Sequence, residues 1–536
     1  MKQTKWIVSI ILLLSMGLLF ACNSNSDKDT GETSNSDLEN LNETGMPIVE
    51  EEISFNIFAP SNPDNTDWNE ILIWDEYKDM THIDVDWQQI PNESLDEKRN
   101  LALGGADLPD AFYAAQFSSM DLLKHGEQGV FIELNDLIDE YAPNLTKLME
   151  ENPEIRKAIT FPNGKIYSFP GVGDPDFLSM HIGARPWFNE EWLDELDMSL
   201  PETTDEFYEY LQAVKENDLN GNGEDDEIPY GGSDIDGLIR WLRGSFGLAK
   251  QNNELIDLDP EDKDLRFIPT SDAYKEMLEY INKLYEEELI SQNITSINDE
   301  QFHADGAEGL YGSTVWFDPA ETFGEAGAAF TGGTALEGPH GDRSFSRGDL
   351  AGRLDGLVIT SEANNPEALV RWMDFFYSDE GAKFQYMGIE NETFVETSDG
   401  EYEYVDDITD SPNGLTVDQE IRKRLAWVGI LPPGLMKQEY FSGSESSENS
   451  LEATEKLEPY LSEEIWPDFL YTEEENKVLL STGVDIEKFV EEARDKFIVG
   501  DKPFSEWDDY VETLEKLGLE EYMDIQKEAY ERYQDN

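Results

Sequence analysis

The stretch "ENDLNGNGEDDEIP", residues 216–229, sets Asp218, Asn220 and Asn222 at alternate positions ahead of Gly223. Short oxygen-bearing side chains at the first, third and fifth places of a loop, with glycine at the sixth for a sharp turn, are the pattern of an EF-hand calcium loop. The twelfth place, where a bidentate Glu closes such a loop, is Pro229. Asp218, Asn220 and Asn222 can each offer one side-chain oxygen, Glu224 its carbonyl, and Asp226 and Glu227 the carboxylates that Pro229 lacks. Without an ion, Asp218, Asp226 and Glu227 would repel one another at close range. An acidic turn that holds nothing is the competing reading. Set between a helical stretch and "IPYGG", a filled loop would be a structural clamp, so Ca2+ is the cofactor expected.

Reactive constellations are absent from the sequence. It contains no GxSxG, HExxH, CxxC or GxxxxGK[ST], and its five histidines (His82, His125, His181, His303 and His340) never stand at metal-ligand spacing. Paired carboxylates carry no information among 118 acidic residues. Tryptophans say more. Trp187, Trp316 and Trp427 fall in segments without clear periodicity, and Trp241 lies beside Arg240 and Arg243. A flat apolar face flanked by polar groups suits a sugar ring, which stacks its C–H face while its hydroxyls hydrogen-bond. Core packing is the competing role for each. Trp372 and Trp507, on apolar helix faces, are assigned to the core.

Elements must position these groups. "ISFNIF" alternates Ile53, Phe55 and Ile57, and "IDVDWQQIP" alternates Ile83, Val85 and Trp87, as half-buried strands do. Helical stretches follow each, then the turn "GGADLPD" and the short run "AFYAA". This order predicts an α/β fold with a parallel sheet. Ligands bind such sheets beyond the carboxyl ends of the strands, which makes Asp110, Tyr113 and Gln116 candidates. "TTDEFYEYLQAVKEN" opens with Thr203 and Glu206 at capping-box spacing. "DGLVIT" reads as a buried strand, and Pro366 begins a helix that lines up Leu369, Trp372, Met373 and Phe376. A last helix carries Trp507, Tyr510, Val511 and Leu514.

The chain begins with Lys2, Lys5 and an apolar run that ends at "LLFAC", the build of a secretory signal ahead of Cys22, the only cysteine. Residues 23–46 are rich in Ser, Asn, Asp and Glu and read as a tether. The length beyond residue 21 exceeds one hydrophobic core and suits two lobes. A net charge of −80 disfavours nucleic acid and anionic membranes as partners and suits a salty or alkaline exterior.

Together "LLFAC", "LALGGADLPDAF", "FPNGKIYSFP", the long segment from Glu190 through "NGNGEDDEIPYGG", "NNPEALVRWMDFFYSDEGAKF" and the last helices resemble the family 1 extracellular solute-binding proteins. These are lipoprotein sugar receptors of bacterial ABC importers, and the match is strongest to an LplA-like, alginate-binding-protein-like subgroup. The resemblance implies a two-lobe α/β fold of the periplasmic-binding-protein type II, with a hinge and an interlobe cleft. It implies a signal peptide at 1–21 and a tether at 22–50. Lobe 1 would take 51–170 and 357–440, lobe 2 would take 171–356, and helices 441–536 would pack mainly on lobe 2. In that subgroup the matching loop is a calcium site, which supports Asp218, Asn220, Asn222, Glu224, Asp226 and Glu227 as ligands. The implied protein is a non-catalytic monomer lipidated at Cys22 on the outer face of the membrane. Its partners would be an oligosaccharide, permease subunits and, through the lipid alone, the membrane. A surface-anchored glycan-degrading enzyme and a receptor for a non-sugar molecule are the alternatives.

Overall fold

The computed structural model describes residues 39–535, apart from 63–65, 106–107, 249, 261–262, 399, 427–428 and 430. The strand at "ISFNIF" runs Ile53–Ser61 and pairs in parallel with Ile83–Pro91 on one side and Ala111–Tyr113 on the other. The helices Leu72–Thr81 and Leu95–Gly104 make the crossovers between these strands. Beyond them the parallel pattern stops. Arg353–Ile359 enters antiparallel to both Ala111–Tyr113 and Phe169–Gly173, and Gly434–Met436 adds at the edge parallel to Phe169–Gly173. The result is a mixed six-stranded sheet. A second sheet orders its four strands Phe330–Gly332, Arg185–Asn189, Tyr311–Trp316 and Ile228–Tyr230. Among the described residues no helix is long and apolar enough to cross a membrane.

Each sheet organises its own core. In lobe 1, Trp74 stacks on Trp372 with ring centroids 5.6 Å apart and meets Trp87 at 4.8 Å, while the Tyr77 hydroxyl donates to the Trp372 carbonyl. The other face of that sheet is covered too, by a cluster of Phe58, Phe112, Phe117 and Phe131. That is why Phe58 is buried although it breaks the alternation of its strand. Ile48 and Val49 are buried against the first core, and the Ile48 N–H donates to the Thr81 carbonyl. The tether expected over 22–50 therefore gives way to packed chain before residue 51. Lobe 2 buries Phe207, Tyr210, Leu211 and Val214 of the helix Thr204–Lys215, whose capping box is formed by Thr203 and Glu206. Leu457, Phe497, Trp507, Tyr510 and Leu514 from the C-terminal region complete this second core.

One buried carboxylate fastens two helices of lobe 1. Asp374, at the end of the helix Pro366–Asp374, accepts the backbone N–H groups of Asn144 and Leu145 at 3.2 and 2.9 Å and the Asn144 amide at 2.8 Å. It thereby satisfies donors at the start of the helix Pro143–Glu151. Burial nonetheless pushes its carboxyl up to about 6, against the pull of these N–H groups and of Arg371. The unfolded chain releases this proton near pH ~3.9. The folded chain keeps it to about pH 6, so this contribution to stability is full at low pH and is lost as pH rises through 6. Chemical unfolding at pH 5 and pH 7 should show wild type losing more stability over that interval than Asp374→Asn. Equal losses would contradict the assignment.

Candidate functional site

Three segments pass between the lobes. The chain leaves lobe 1 after Gly173, enters the second sheet at Arg185, comes back at Arg353 and leaves again after Met436. Arg185 knots two of these passages. Its guanidinium is wholly buried and donates to the Gly183 and Ser179 carbonyls and the Ser179 hydroxyl on the first passage. It also donates to the Ser450 carbonyl and the Thr454 hydroxyl on the helix Glu448–Leu457 that follows the third. Burial lowers this guanidinium to about 10, with Glu445 and Asp318 opposing. The second passage is tied in by backbone bonds, from the Gly348 N–H to the His181 carbonyl and from the Gly173 N–H to the Leu350 carbonyl.

At the edge of the first sheet from which these passages leave lies a cavity of about 450 Å3. Phe117 and Ser119 reach it from just beyond the carboxyl end of Ala111–Tyr113, and Arg353 and Asp355 from the start of the antiparallel neighbour. Asp468 and Phe469 form another part of its wall. Phe469 belongs to the second core, whereas Leu470 packs against the cluster around Phe117. The wall segment thus bridges the two lobes.

The polar groups here are held firmly. Arg353 donates to Asp355 at 3.1 Å and to the Leu431 carbonyl at 3.1 Å, and the other Asp355 oxygen accepts the Phe117 N–H at 3.0 Å. Burial raises the Asp355 carboxyl above its usual range, opposed first by Arg353 and then by the Phe117 and Gln116 N–H groups. The turn itself is strained, with Ala114 at φ 48° and Gln116 at φ 60°. Arg99 pins it by donating to the Ala115 and Gln116 carbonyls at 2.7 and 2.6 Å, its guanidinium 5.0 Å from the Phe117 ring. A pocket with an aromatic edge, a fixed cation–carboxylate pair and a hydroxyl can bind a polar, uncharged molecule by several directed hydrogen bonds.

The sequence candidates divide. Gln116 is exposed at this edge, next to Phe117. Asp110 stands at the other, amino end of its strand, where its carboxylate accepts the Asn56 N–H at 2.8 Å and stitches two strands together. Tyr113 is buried against the rings of Trp68 and Trp87. Trp187 and Trp241 are buried as well. Their indole N–H groups donate to the carbonyls of Trp316 and Thr334, so neither ring offers a face to a ligand. Trp316 is half-buried at the end of its strand, paired with Arg185 beside the hinge, and the neighbouring Phe317 is 41 % exposed. Trp427 and Cys22 lie outside the described residues. Arg240 donates to the Ile182 carbonyl, and Arg243 is buried in lobe 2. Arg353, Asp355 and Asp468 were not anticipated. The signal open to sequence reading was two charges, two residues apart, directly before the buried run "GLVIT".

The acidic loop closes on itself. Asp218 accepts the Gly223 N–H, Glu227 accepts the Leu219 and Asn220 N–H groups, and the Asn220 and Asn222 amides donate to Asp226 at 2.9 and 3.0 Å. Gly221 and Gly223 take positive φ of 69° and 85° in this turn. Every side chain named as a ligand carries oxygen, so the donor set fits a hard cation. Among the described residues, no three His, Cys, Asp or Glu side chains converge as a ready cluster.

The chain is 28% identical over 548 residues to the fructooligosaccharide ABC transporter substrate-binding protein FusA of Streptococcus pneumoniae, covering 98% of each. It is 24% identical to lipoprotein LipO of Bacillus subtilis over 84% of this chain and 86% of that one. Pneumococcal FusA in complex with kestose superposes with a TM-score of 0.70 at 27% identity, covering 90% of this chain and 100% of that one. An EF-hand mutant of FusA in complex with fructo-nystose gives 0.68 at 26%, with the same coverage. Residues 60–383, well over half of the chain, match the bacterial extracellular solute-binding proteins, and the protein belongs to that family of binders rather than catalysts.

Proposed function

We propose that this protein is the capturing subunit of an ABC importer, taking a short neutral oligosaccharide between its lobes and passing it unaltered to a permease. The observation that carries this reading is the 450 Å3 cavity in which Arg353, Asp355 and Ser119 of lobe 1 face a segment that is partly rooted in the core of lobe 2. Sugar hydroxyls both donate and accept, and a fixed guanidinium–carboxylate pair answers both needs at once. The likeness to FusA over nearly the whole chain supports a fructose-based ligand. Closure of the lobes about the three passages would shut the ligand away from water. Isothermal titration with kestose and nystose should give saturable binding, with the sugar recovered intact. Asp468→Asn, an exposed change that leaves both cores alone, should weaken binding about tenfold. Silence toward both sugars would defeat the proposal.

Calcium is the ion proposed for the loop, held by Asp218, Asn220, Asn222, Asp226 and Glu227 with the Glu224 carbonyl. The all-oxygen donor set and the EF-hand of the FusA relative support it. Bound calcium would supply the positive charge that these carboxylates lack and would brace the turn after the helix Thr204–Lys215. An ion at about a hundred times its dissociation constant stabilises a fold by ~2.7 kcal/mol. Millimolar calcium should therefore raise the melting temperature by a few degrees over chelator, and Asp218→Ala should abolish the difference. Identical melting of wild type in calcium and in chelator would remove the ion from the account.

Acylation at Cys22 is proposed as the anchor, supported by "LLFAC" and by the lipoprotein relative. Cells expressing Cys22→Ala should shed the protein into the medium, while wild type stays with the membrane and incorporates labelled palmitate. Equal release of both would rule the anchor out.

A further inference from the structure

We infer that a second cavity, inside lobe 2, is a further subsite that takes one neutral, hydroxylated ring of the same ligand; this rests on the oligosaccharide reading above. The cavity measures about 320 Å3 and opens between the helices Asp236–Arg243 and Val484–Ile498 and the turn at Asn252. Asp468 lines both this cavity and the 450 Å3 one, so the two share a wall residue.

Arg243 marks the site as built to receive something. Its side chain is 3 % exposed, yet its Nε–H has no hydrogen-bond partner. One terminal nitrogen reaches the Asn253 carbonyl only at 3.4 Å, and the nearest carboxylate, Glu254, stays at 3.6 Å. A buried charge with an unmet donor costs free energy that nothing in the packing of lobe 2 returns. Arg494, on the opposite wall, is by contrast ion-paired with both Asp236 and Asp495, its Nε–H included. Of the two arginines that line the cavity, Arg243 is the one whose Nε–H folding leaves unmet.

Charge and shape narrow the ligand. Asp236, Glu254, Asp468, Glu487 and Glu491 outnumber the two guanidiniums around the cavity, so a uronate or phosphate would be repelled. Hydroxyl groups suit the mixture, since they accept from Arg243 and Asn252 and donate to the carboxylates. Ile239, Pro269, Val490 and the edge of Tyr274 supply apolar wall for the C–H face of a ring. The volume falls at the lower end of small-ligand sites. A chain of three or four sugar units could therefore lie across Asp468 with rings in both cavities.

The test uses full-length protein and isothermal titration with nystose and trigalacturonic acid, alongside melting of the sugar-free variants. Arg243→Lys keeps the charge and removes the unpaired donor. Asn252→Gly removes the rim amide and tolerates the native φ of 62°. Both should melt like wild type without sugar and bind nystose about tenfold more weakly, and trigalacturonic acid should give no heat with wild type. Unchanged nystose affinity in both variants would overturn the subsite while leaving the function intact, as would trigalacturonic acid binding as tightly as nystose. Silence of wild type toward nystose would bring down the functional reading and this inference together.

Discussion

The arrangement depends on a buried cation that has no carboxylate bonded to it. Removing a guanidinium from water is costly unless its donors are all met. Arg185 approaches this condition, with all three of its nitrogens bonded to three carbonyls and two hydroxyls drawn from two interlobe passages. Pulling Ser450 and Thr454 away together would leave an Nη1 donor unpaired in a dry interior, so the passages are bound to one another more tightly than their backbone alone would require. Asp318 and Glu445 lie close enough to oppose its loss of charge without bonding to it.

That constraint is consistent with the proposed ligand site. All three passages leave the same edge of the first sheet, and the cavity lies at that edge. The strained turn at Ala114 and Gln116 is kept in shape from below by Arg99 and from the side by Asp355. Strain of this kind, of order 1–3 kcal/mol per residue, persists only where surrounding groups over-determine the backbone. Arg353 and Asp355 are thus held by the fold itself, and on the proposed function little ordering would remain to oppose binding.

Local patterns were legible and long-range ones were not. The alternation at Ile53–Ile57, the capping box at Thr203 and the apolar stripe from Leu369 to Phe376 all depend on neighbours within a few residues, and all stand in the structure. The antiparallel entry of Arg353–Ile359 beside Ala111–Tyr113 joins residues far apart in the chain, and no local signal announces it. Trp187 misled for a related reason. "RPWFN" lacks alternation because the strand Arg185–Asn189 is buried on both faces, so missing periodicity indicated depth rather than exposure. Asp110 was placed at the wrong end of a three-residue strand whose bounds the sequence leaves loose.

The wall around Asp468 draws these points together. Phe469 is anchored in one core and Leu470 leans on the other, so the segment cannot follow both lobes if they part. Opening the hinge must pull it from one side, and that loss of apolar contact opposes opening. A ligand that fills the cavity adds contacts to both walls and shifts the same balance toward closure. The net charge of −80 acts the other way, since bringing the lobes together concentrates like charge. Salt screens that repulsion more than it weakens close, partly buried contacts such as Arg353 to Asp355. On the proposed closing mechanism, rising ionic strength would weaken this opposition while leaving the contacts within the cavity in place.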